Sequence, residues 1–558
     1  MATLPVSESA AAPAVQAESH EEHFRLERGL ALMIIAVAAL WLRMRDPHYA
    51  TAYMDESIYV IYGRMFLTRH FEAPLDTPLQ WSFGWYLWPA MAAVADKIGG
   101  LAGLRELAAG LGMVTLAAVT GFASRVFTKS VAVGTAAVFA MLAPAVLVSR
   151  IATRDSGSLC FFALGIWAYA AAWQSGKKRD WALAAGTLFA SFLCKYLVAI
   201  YFPFLVLLAL RKGKNAFVIF SLPLFAFCAG YGILHAHDLL HLLRYGSGYS
   251  SLRAPGAQAW RIYFSGRLDY WLLALLAAPT LAVRELRKRS IPLWVGAAVI
   301  LLFQWKSRAD FDYWKHVNYS LIFLAPLAVA GVLFLVQHLR HADYAGQVIW
   351  GVTAVVVVAG VVGWLGKASE IDRFVFWPDV DPVLAYFDGR LSPGDRVLVD
   401  DTVLRYYFQA NLHQYQIADP MFFHYQDREG AAAYKAAVHD GVFDYVILDG
   451  GMGEEARRMA AAIKPLPSSY HLAFSGREPN LGQPLEIYEK ESTRAASTGP
   501  AIESLSPTDD TLIRGEATDA MGVVRGAQPG WYVQVEVFTD RWYEQGEQVP
   551  LAADGSFK

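Results

Sequence analysis

The sequence contains eleven apolar segments, each about 14 to 21 residues long. A helix needs about 20 apolar residues to cross the hydrocarbon core of a bilayer. Hydrophobic residues make up 55% of the 558 residues and charged residues only 18%, an apolar excess that a water-soluble core cannot bury. The chain is therefore predicted to be a polytopic α-helical membrane protein with about 11 transmembrane helices. The segments begin near residues 29, 104, 131, 157, 181, 196, 215, 270, 291, 318 and 346.

A twelfth apolar stretch, Trp81 to Gly99, decides the predicted orientation. If it does not cross the membrane and the N-terminus is cytoplasmic, every basic cluster falls in the cytoplasm, as the positive-inside rule prefers. If it crosses, all of them fall outside. We therefore predict a juxtamembrane or re-entrant stretch in a multi-pass protein of the plasma (inner) membrane. The clusters are Arg125/Lys129, Lys177 to Arg179, Arg211 to Lys214, Arg284 to Arg289 and His338 to His341.

Changes of composition along the chain predict five regions. Residues 1–27 are predicted to be a disordered cytoplasmic tail and 28–370 a transmembrane catalytic domain. Alternating helix and strand patterns over 371–490 predict an extracytoplasmic α/β domain with a largely parallel sheet. A linker over 491–508 precedes a short β-rich, sandwich-like module over 509–558, which is expected to be incomplete. The formal net charge of -2 gives no basic surplus for nucleic acid, which is excluded as a partner.

The predicted orientation collects charged residues in the outward loops. Adjacent carboxylates, Asp55 and Glu56, follow the first helix, and the loop 149–156 holds Arg150, Arg154 and Asp155. Solvated loop carboxylates and interfacial arginines are the plain alternative. Basic residues beside carboxylates also suit a phosphate headgroup delivered from the membrane, with the cations binding phosphate and an aspartate acting as base. Lys195 between two apolar runs, and the loop with Arg308, Lys315 and His316, extend this basic surface.

Four stretches in this order resemble the GT-C glycosyltransferases, in particular the polyprenyl-phosphate-dependent protein mannosyltransferases and the lipid A aminoarabinose transferases. The similarity covers roughly residues 28 to 370, and the Trp-Trp-Asp signature of oligosaccharyltransferases is absent. The stretches are MDESIYVIYGRMF, the segment from LDTPLQWSFGWYLWP to TGFASRVF, SRIATRDSGSLCFFALGIWAYA and LCKYLVAIYFPF.

The resemblance implies transfer of a sugar from a polyprenyl-phosphate donor to a protein, glycan or lipid acceptor on the outer face of the membrane. Asp55 matches the family's acidic position for a catalytic base, with Glu56 beside it, and Asp155 matches the acidic position of the second outer loop. Lys195 matches a lysine that meets the donor phosphate. The other residues expected at the phosphate are Arg64, Arg150, Arg154, Arg308, Lys315 and His316.

The expected chemistry is attack by an acceptor hydroxyl on the anomeric carbon, with inversion. A polyprenyl phosphate is already a good leaving group, so no cofactor is required, although a divalent metal is compatible with this chemistry. Two other classes stay open from the residues alone. A transporter or flippase of lipid-linked sugars would show repeat symmetry or broken midplane helices. A non-catalytic membrane scaffold would tolerate neutral substitutions at Asp55 and Asp155.

Overall fold

The computed structural model divides the chain into two compact units, residues 1–489 and 490–558. The structure describes residues 12–68, 86–237, 239–240, 267–307, 313–339, 344–374, 379–392, 394–400, 402–408, 416–418, 423–449, 453–480, 482–491, 501–506, 521–525, 532–538, 542–550, 552 and 556–557.

Each of the eleven apolar segments forms helix. The first helix begins at Ala12, so the tail predicted to be disordered over 1–27 is helical over its second half, where alanine and glutamate favour helix. The helices are α1 Ala12–Met44, α2 Met54–Thr68, α3 Leu87–Val126, α4 Lys129–Met141, α5 Ala143–Arg150, α6 Arg154–Ser175, α7 Lys178–Cys194, α8 Phe202–Lys212, α9 Lys214–Leu234, α10 Leu268–Ala277, α11 Pro279–Ala282, α12 Arg284–Ser307, α13 Tyr313–Leu339 and α14 Tyr344–Phe374, with a 3-10 helix at Tyr196–Tyr201.

Fewer of these helices have the length and apolar composition of a membrane span than the eleven predicted. Among the described residues, five helices qualify, or six if the pair α4 and α5, bent by 61°, is one span. Several predicted segments fold as short or broken helices, such as α7 with 17 residues and α10 with 10. The helical and apolar character of the segments is thus established, whereas the predicted count is not confirmed.

Helix α3 has a break that separates its first part from the helix after it, and residues 81–85 of the predicted Trp81 to Gly99 stretch lie outside the described residues. Its 40 residues include Gly99 and Gly100, whose backbone angles are not helical. Gly100 has φ 60° and ψ −155°, a conformation that only glycine adopts readily. At about 1.5 Å per residue, an unbroken helix of this number of residues would be roughly 60 Å long, about twice the hydrocarbon thickness of a bilayer. The portion from Leu87 therefore forms a helix of its own before the break.

The core of the helical part is aromatic. Tyr169 of α6, Trp181 of α7 and Phe220 of α9 meet edge to face, with ring centroids 5.0 to 6.0 Å apart. Phe162 contacts Tyr319 and Phe323 of α13 in the same way. Such geometry pairs the positive edge of one ring with the negative face of the next. These contacts fix α13 against α6, and both helices contribute residues to the site described below.

The α/β domain contains a mixed sheet instead of the largely parallel sheet predicted. The strand order is β2-β1-β5-β7-β6; β1 is parallel to β2 and β5, whereas β7 is antiparallel to β5. No helix lies between β6 and β7, which are neighbours in the sheet, and a short connection of this kind joins antiparallel strands instead of parallel ones. The elements are α15 Asp381–Phe387, β1 Arg396–Val399, α16 Val403–Phe408, β2 Gln416–Ala418, β3 His424–Tyr425, β4 Arg428–Glu429, α17 Gly430–His439, β5 Tyr445–Leu448, α18 Gly453–Ile463, β6 Tyr470–Arg477 and β7 Pro484–Lys490.

One face of this sheet shares a hydrophobic core with α2 and α3. Val397 and Ile447 from the sheet belong to the same buried cluster as Tyr59, Trp88 and Leu104 from the helical part. Glycine permits the close approach of α2 to α3, because a Cβ at Gly63 would collide with the carbonyl oxygen of Pro89. The α/β domain therefore rests directly on the helices that begin the candidate site.

The second unit consists of short strands. They form a three-stranded antiparallel sheet, β12-β9-β8, and the antiparallel pair β10 and β11. The first strand begins inside the stretch predicted to be a linker over 491–508. The strands are β8 Ala501–Ser506, β9 Met521–Arg525, β10 Tyr532–Phe538, β11 Trp542–Pro550 and β12 Ser556–Phe557.

Candidate active site

Two aspartates lie in the first turns of helices, and each forms an ion pair with a lysine. Asp55 is in the first turn of α2 and Asp155 in the first turn of α6, where the helix dipole favours negative charge. Lys315, in the first turn of α13, forms an ion pair with Asp55 Oδ2. Lys195 lies between α7 and the 3-10 helix, and its Nζ is 2.7 Å from Asp155 Oδ1. The fold thus brings four of the residues predicted from the sequence into two ion pairs.

His316 connects these two pairs. Its Nε2 is 2.8 Å from Lys195 Nζ, and its chain neighbour is Lys315. A lysine ammonium can only donate, so Nε2 of neutral His316 accepts and Nδ1 holds the ring proton. Nδ1 contacts the side-chain amide nitrogen of Gln304 on α12, and a turn of that amide about its last bond presents its oxygen to the ring proton. We call Asp55, Asp155, Lys195, Lys315 and His316 the lysine cluster.

Accessibility differs within the lysine cluster. The Asp155 and Lys195 side chains are 2% and 6% exposed, whereas Asp55 is 16% exposed. Lys315 donates to one oxygen of Asp55, and within the described part of the chain no donor reaches the other oxygen, Oδ1. Asp55 is therefore the carboxylate of the cluster that can still accept a proton from a bound molecule.

Glu56, next to Asp55 in sequence, has a different environment. Its side chain is fully buried, and Arg105 of α3 donates to both carboxylate oxygens, at 3.1 Å from Nε and 2.9 Å from Nη2. The backbone amides of Ala152 and Tyr53 donate to the same two oxygens, at 3.0 and 2.9 Å. Four donors occupy Glu56, so its contacts are those of a positioning residue and not of a base.

Arg105 extends this buried centre to the loop before α2. Its guanidinium donates to the carbonyl oxygens of Pro47, Ala50 and Thr51, at 2.8, 3.0 and 3.1 Å, so that all five N–H groups are used. It also lies over the ring of Tyr49. Together with the bond from Ala152, these contacts hold the start of α2 beside the loop that leads to Asp155. We call Glu56 and Arg105 the arginine centre.

Two other predicted phosphate ligands, Arg64 and Arg150, contact residues outside the lysine cluster. Arg64 forms an ion pair with Asp96 of α3 at 2.6 Å and lies over the ring of Tyr406 in the α/β domain. Arg150 donates to the carbonyl oxygen of Arg45 and lies over Tyr49, beside the arginine centre. The Arg154 guanidinium lies over the ring of Tyr59. Arg308 lies outside the described residues.

The α/β domain reaches this region through two tyrosines. Tyr406 donates to Asp96 Oδ1 at 2.6 Å, and Tyr407 Oη accepts from the backbone amide of Ala52 at 2.9 Å. Burial raises the pKa of the Tyr407 hydroxyl to about 12, and burial with the neighbouring Asp96 raises the pKa of Tyr406. Both hydroxyls are therefore neutral at physiological pH. Tyr407 joins the domain to the loop that the arginine centre organises, and Tyr406 joins it to α3.

Sequence reasoning did not identify Arg105, Asp96 or Gln304. The first two are ionisable residues within the long apolar helix α3, a position where charge is expensive without a partner. That cost is a signal that they have partners, although it does not say which. Among the described residues, no group of three histidine, cysteine, aspartate or glutamate side chains is arranged to hold a metal ion.

Comparison with known proteins agrees with this architecture. Residues 82–230, which include Asp155 and Lys195, match the family model of dolichyl-phosphate-mannose-protein mannosyltransferases. The crystal structure of ArnT from Cupriavidus metallidurans bound to undecaprenyl phosphate superposes with a TM-score of 0.54 at 12% sequence identity. That match covers 84% of this chain and 98% of ArnT. The chain has the GT-C glycosyltransferase fold.

The GT-C resemblance expected from the motifs is therefore confirmed. ArnT in the apo state matches with a TM-score of 0.50 at 11% identity, over 84% of this chain and 98% of that one. The apo oligosaccharyltransferase from Archaeoglobus fulgidus matches with a TM-score of 0.48 at 12% identity, over 76% and 69% of the two chains. No curated protein matches the sequence. With its apolar helices, the GT-C fold identifies an integral membrane protein.

Proposed function

We propose that this protein is a membrane glycosyltransferase that moves a sugar from a polyprenyl-phosphate donor to an acceptor hydroxyl. The main support is the lysine cluster, in which a partly exposed carboxylate, Asp55, lies beside paired lysines at the ends of apolar helices. A carboxylate suits proton abstraction, and ammonium groups suit a phosphate that gains charge as it leaves. The GT-C fold and the family match over 82–230 are consistent with this chemistry.

Asp55 acts as the base in this proposal. Its Oδ1 can accept a hydrogen bond from an acceptor hydroxyl, because Lys315 donates only to Oδ2. The neighbouring Glu56 has no comparable freedom, since Arg105 and two backbone amides saturate it. General-base catalysis contributes about 10²- to 10⁴-fold to the rate of a proton-transfer reaction.

Lys315 and Lys195 bind the donor phosphate. In the unliganded cluster each ammonium neutralises an aspartate, and a phosphate oxygen competes with that aspartate for the same donor. Movement of Lys315 from Asp55 toward the phosphate frees Asp55 for the acceptor proton. Asp155 and His316 hold the Lys195 ammonium in place, so they are positioning residues.

The proposed reaction is a single displacement. The acceptor oxygen forms a bond to the anomeric carbon, the bond from that carbon to the phosphate oxygen breaks, and Asp55 takes the acceptor proton. Polyprenyl phosphate leaves with the bonding electrons, and one displacement inverts the anomeric carbon. The two lysines supply the positive charge for the leaving phosphate, so the proposal requires no metal ion.

The proposal assigns the reaction to the outer face of the membrane, where the positive-inside rule predicts Asp55 and Asp155. The α/β domain follows the last apolar helix and contacts the loop before α2, so it is proposed to lie on the same side and to contribute to acceptor recognition. The acceptor is a protein, glycan or lipid with a free hydroxyl.

Transfer from a panel of radiolabelled polyprenyl-phosphate sugars tests the proposal. The wild-type protein is expected to release polyprenyl phosphate and to label an acceptor with at least one donor, with inverted configuration in the product. The Asp55→Asn variant should lose transfer by about 10²-fold or more at equal thermal stability. Failure of the wild type with every donor, or full activity of the variant, would contradict the proposed function.

A further inference from the structure

A cavity of about 370 Å³ lies between the helices, away from the lysine cluster. Its volume is within the range of small-molecule sites in proteins, about 300 to 1,000 Å³. Helices α3, α6, α8, α12 and α13 contribute to its wall. The wall residues are Phe122, Val126, Ile166, Tyr169, Ala170, Trp173, Phe204, Leu205, Leu208, Pro292, Leu293 and Phe323.

The cavity is at the opposite end of the helices from the lysine cluster. On α6 it is lined by residues between Ile166 and Gln174, which are 11 to 19 positions after Asp155. At about 1.5 Å per residue, that separation is roughly 17 to 28 Å along the helix axis. On α12 the cavity meets the first residues of the helix, whereas Gln304, the partner of His316, is near its end. The cavity is thus a separate site.

The interior of the cavity is apolar. Tyr169 contributes its ring to the cavity wall, because its hydroxyl is occupied in a hydrogen bond that it donates to the carbonyl oxygen of Leu205 at 2.8 Å. The ring of Trp173 is covered by Lys212 Nζ at 5.3 Å from its centroid. Phenylalanine, leucine, isoleucine and proline side chains line most of the rest of the interior. A hydrocarbon chain fits this lining, whereas a sugar or a free phosphate would lose its hydration without compensation.

The mouth of the cavity is positively charged. Arg125 at the end of α3 and Lys288 and Arg289 at the start of α12 lie on its exposed rim, and among the described residues no aspartate or glutamate lines the cavity. Arg125 contacts the Gln174 side chain, and Arg289 donates to the carbonyl oxygen of Val126 at 3.3 Å. Both guanidiniums are held at the rim by neutral partners and keep their charge for an anion.

We propose that this cavity binds an anionic phospholipid, with an acyl chain in the apolar interior and the phosphate between Arg125, Lys288 and Arg289. Basic pockets between membrane helices recognise anionic headgroups in this way. The positive-inside rule predicts the same residues at the cytoplasmic leaflet, whose surface is negative. Occupation of the cavity would fill space between five helices, so the lipid is expected to stabilise the helical part against heat.

Native mass spectrometry of the full chain in detergent tests this site. Delipidated protein is titrated with phosphatidylglycerol and with phosphatidylcholine that has the same acyl chains. We expect phosphatidylglycerol to bind at least about tenfold more tightly and to raise the unfolding temperature. Equal binding of the two lipids would overturn the proposal, because an apolar cavity alone does not distinguish their headgroups.

Two variants and one control variant localise the binding. R125Q/K288Q/R289Q should lose about tenfold or more in phosphatidylglycerol affinity, whereas K177Q/K178Q/R179Q, three basic residues outside the cavity, should bind as wild type does. Leu208→Trp keeps the charges and fills the interior, and should reduce binding of the acyl chain. Equal losses in both triple variants, or unchanged binding in Leu208→Trp, would contradict the assignment. The readout is lipid retention, so the result is independent of sugar transfer.

Discussion

The lysine cluster and the arginine centre contain adjacent carboxylates, Asp55 and Glu56, whose burial and hydrogen bonding are opposite. Glu56 is fully buried and accepts four hydrogen bonds, two of them from Arg105. Asp55 is 16% exposed and receives one donor on one oxygen. A saturated buried carboxylate holds structure together, whereas one with an open oxygen can exchange a proton. The difference supports the roles proposed for the two residues, structural support for Glu56 and proton transfer for Asp55.

The largest expected effect on stability follows removal of Arg105. Arg105→Met leaves Glu56 buried without its cation and three carbonyl oxygens without their donor. Loss of one partner from a buried ion pair costs about 3 to 5 kcal/mol of unfolding free energy. Thermal unfolding in detergent measures the loss, and the double variant E56Q/R105M should recover part of it. A variant as stable as wild type would show that the arginine centre is not a structural support.

Removal of Lys315 should act on transfer more than on stability. Lys315→Met leaves the partly exposed Asp55 solvated, so the unfolding temperature should change little. Loss of one positive group at a developing negative charge lowers the rate by about 10²-fold. Steady-state kinetics with the donor measures kcat/KM, and Lys306→Met, an exposed lysine at the end of α12, is the matched control. Equal activity of the two variants would remove Lys315 from the phosphate site.

Tyr406 tests whether the α/β domain supports the helical part. Tyr406→Phe removes a hydrogen bond to the buried Asp96 carboxylate, which is also the ion-pair partner of Arg64. Hydrogen bonds to charged groups contribute about 1.5 to 3 kcal/mol. We expect a lower unfolding temperature and faster proteolysis between the domain and the helices. Unchanged resistance to protease would show that this bond does not fix the domain.

Tyr407→Phe should give the smallest change. Its hydroxyl accepts from the backbone amide of Ala52, a neutral bond that contributes about 0.5 to 1.5 kcal/mol. Hydrogen exchange at the Ala52 amide should accelerate, while the Glu56 contacts remain. An effect on stability larger than that of Tyr406→Phe would mean that the loop, and not Asp96, is the principal contact of the domain.

Much of the fold could be predicted from the sequence because it depends on local patterns. Each apolar segment is helical, and the strands Arg396–Val399 and Tyr445–Leu448 alternate with helices in the region over 371–490 for which an α/β domain was predicted. The count of membrane spans is not confirmed and the predicted sheet direction is wrong, for a different reason. The helix break at Gly99 and Gly100 and the antiparallel direction of β7 depend on packing partners. A hydropathy pattern does not contain this information.

The candidate site was predictable in part. The order of motifs indicated Asp55, Asp155, Lys195, Lys315 and His316, and the fold brings these residues together. The different environments of Asp55 and Glu56 were not predictable, since they depend on Arg105, which is 49 positions after Glu56. Arg64 resembled a phosphate ligand by its position, but its partners Asp96 and Tyr406 lie on other elements.

The most direct test of the roles proposed for Asp55 and Glu56 compares Asp55→Asn with Glu56→Gln for both sugar transfer and thermal unfolding. Both replacements keep the size of the side chain and remove one negative charge. We expect Asp55→Asn to fold as stably as wild type and to lose sugar transfer. Glu56→Gln should unfold at a lower temperature and still transfer sugar. The reverse pattern, with transfer retained in Asp55→Asn and abolished in a stably folded Glu56→Gln, would contradict the proposed roles.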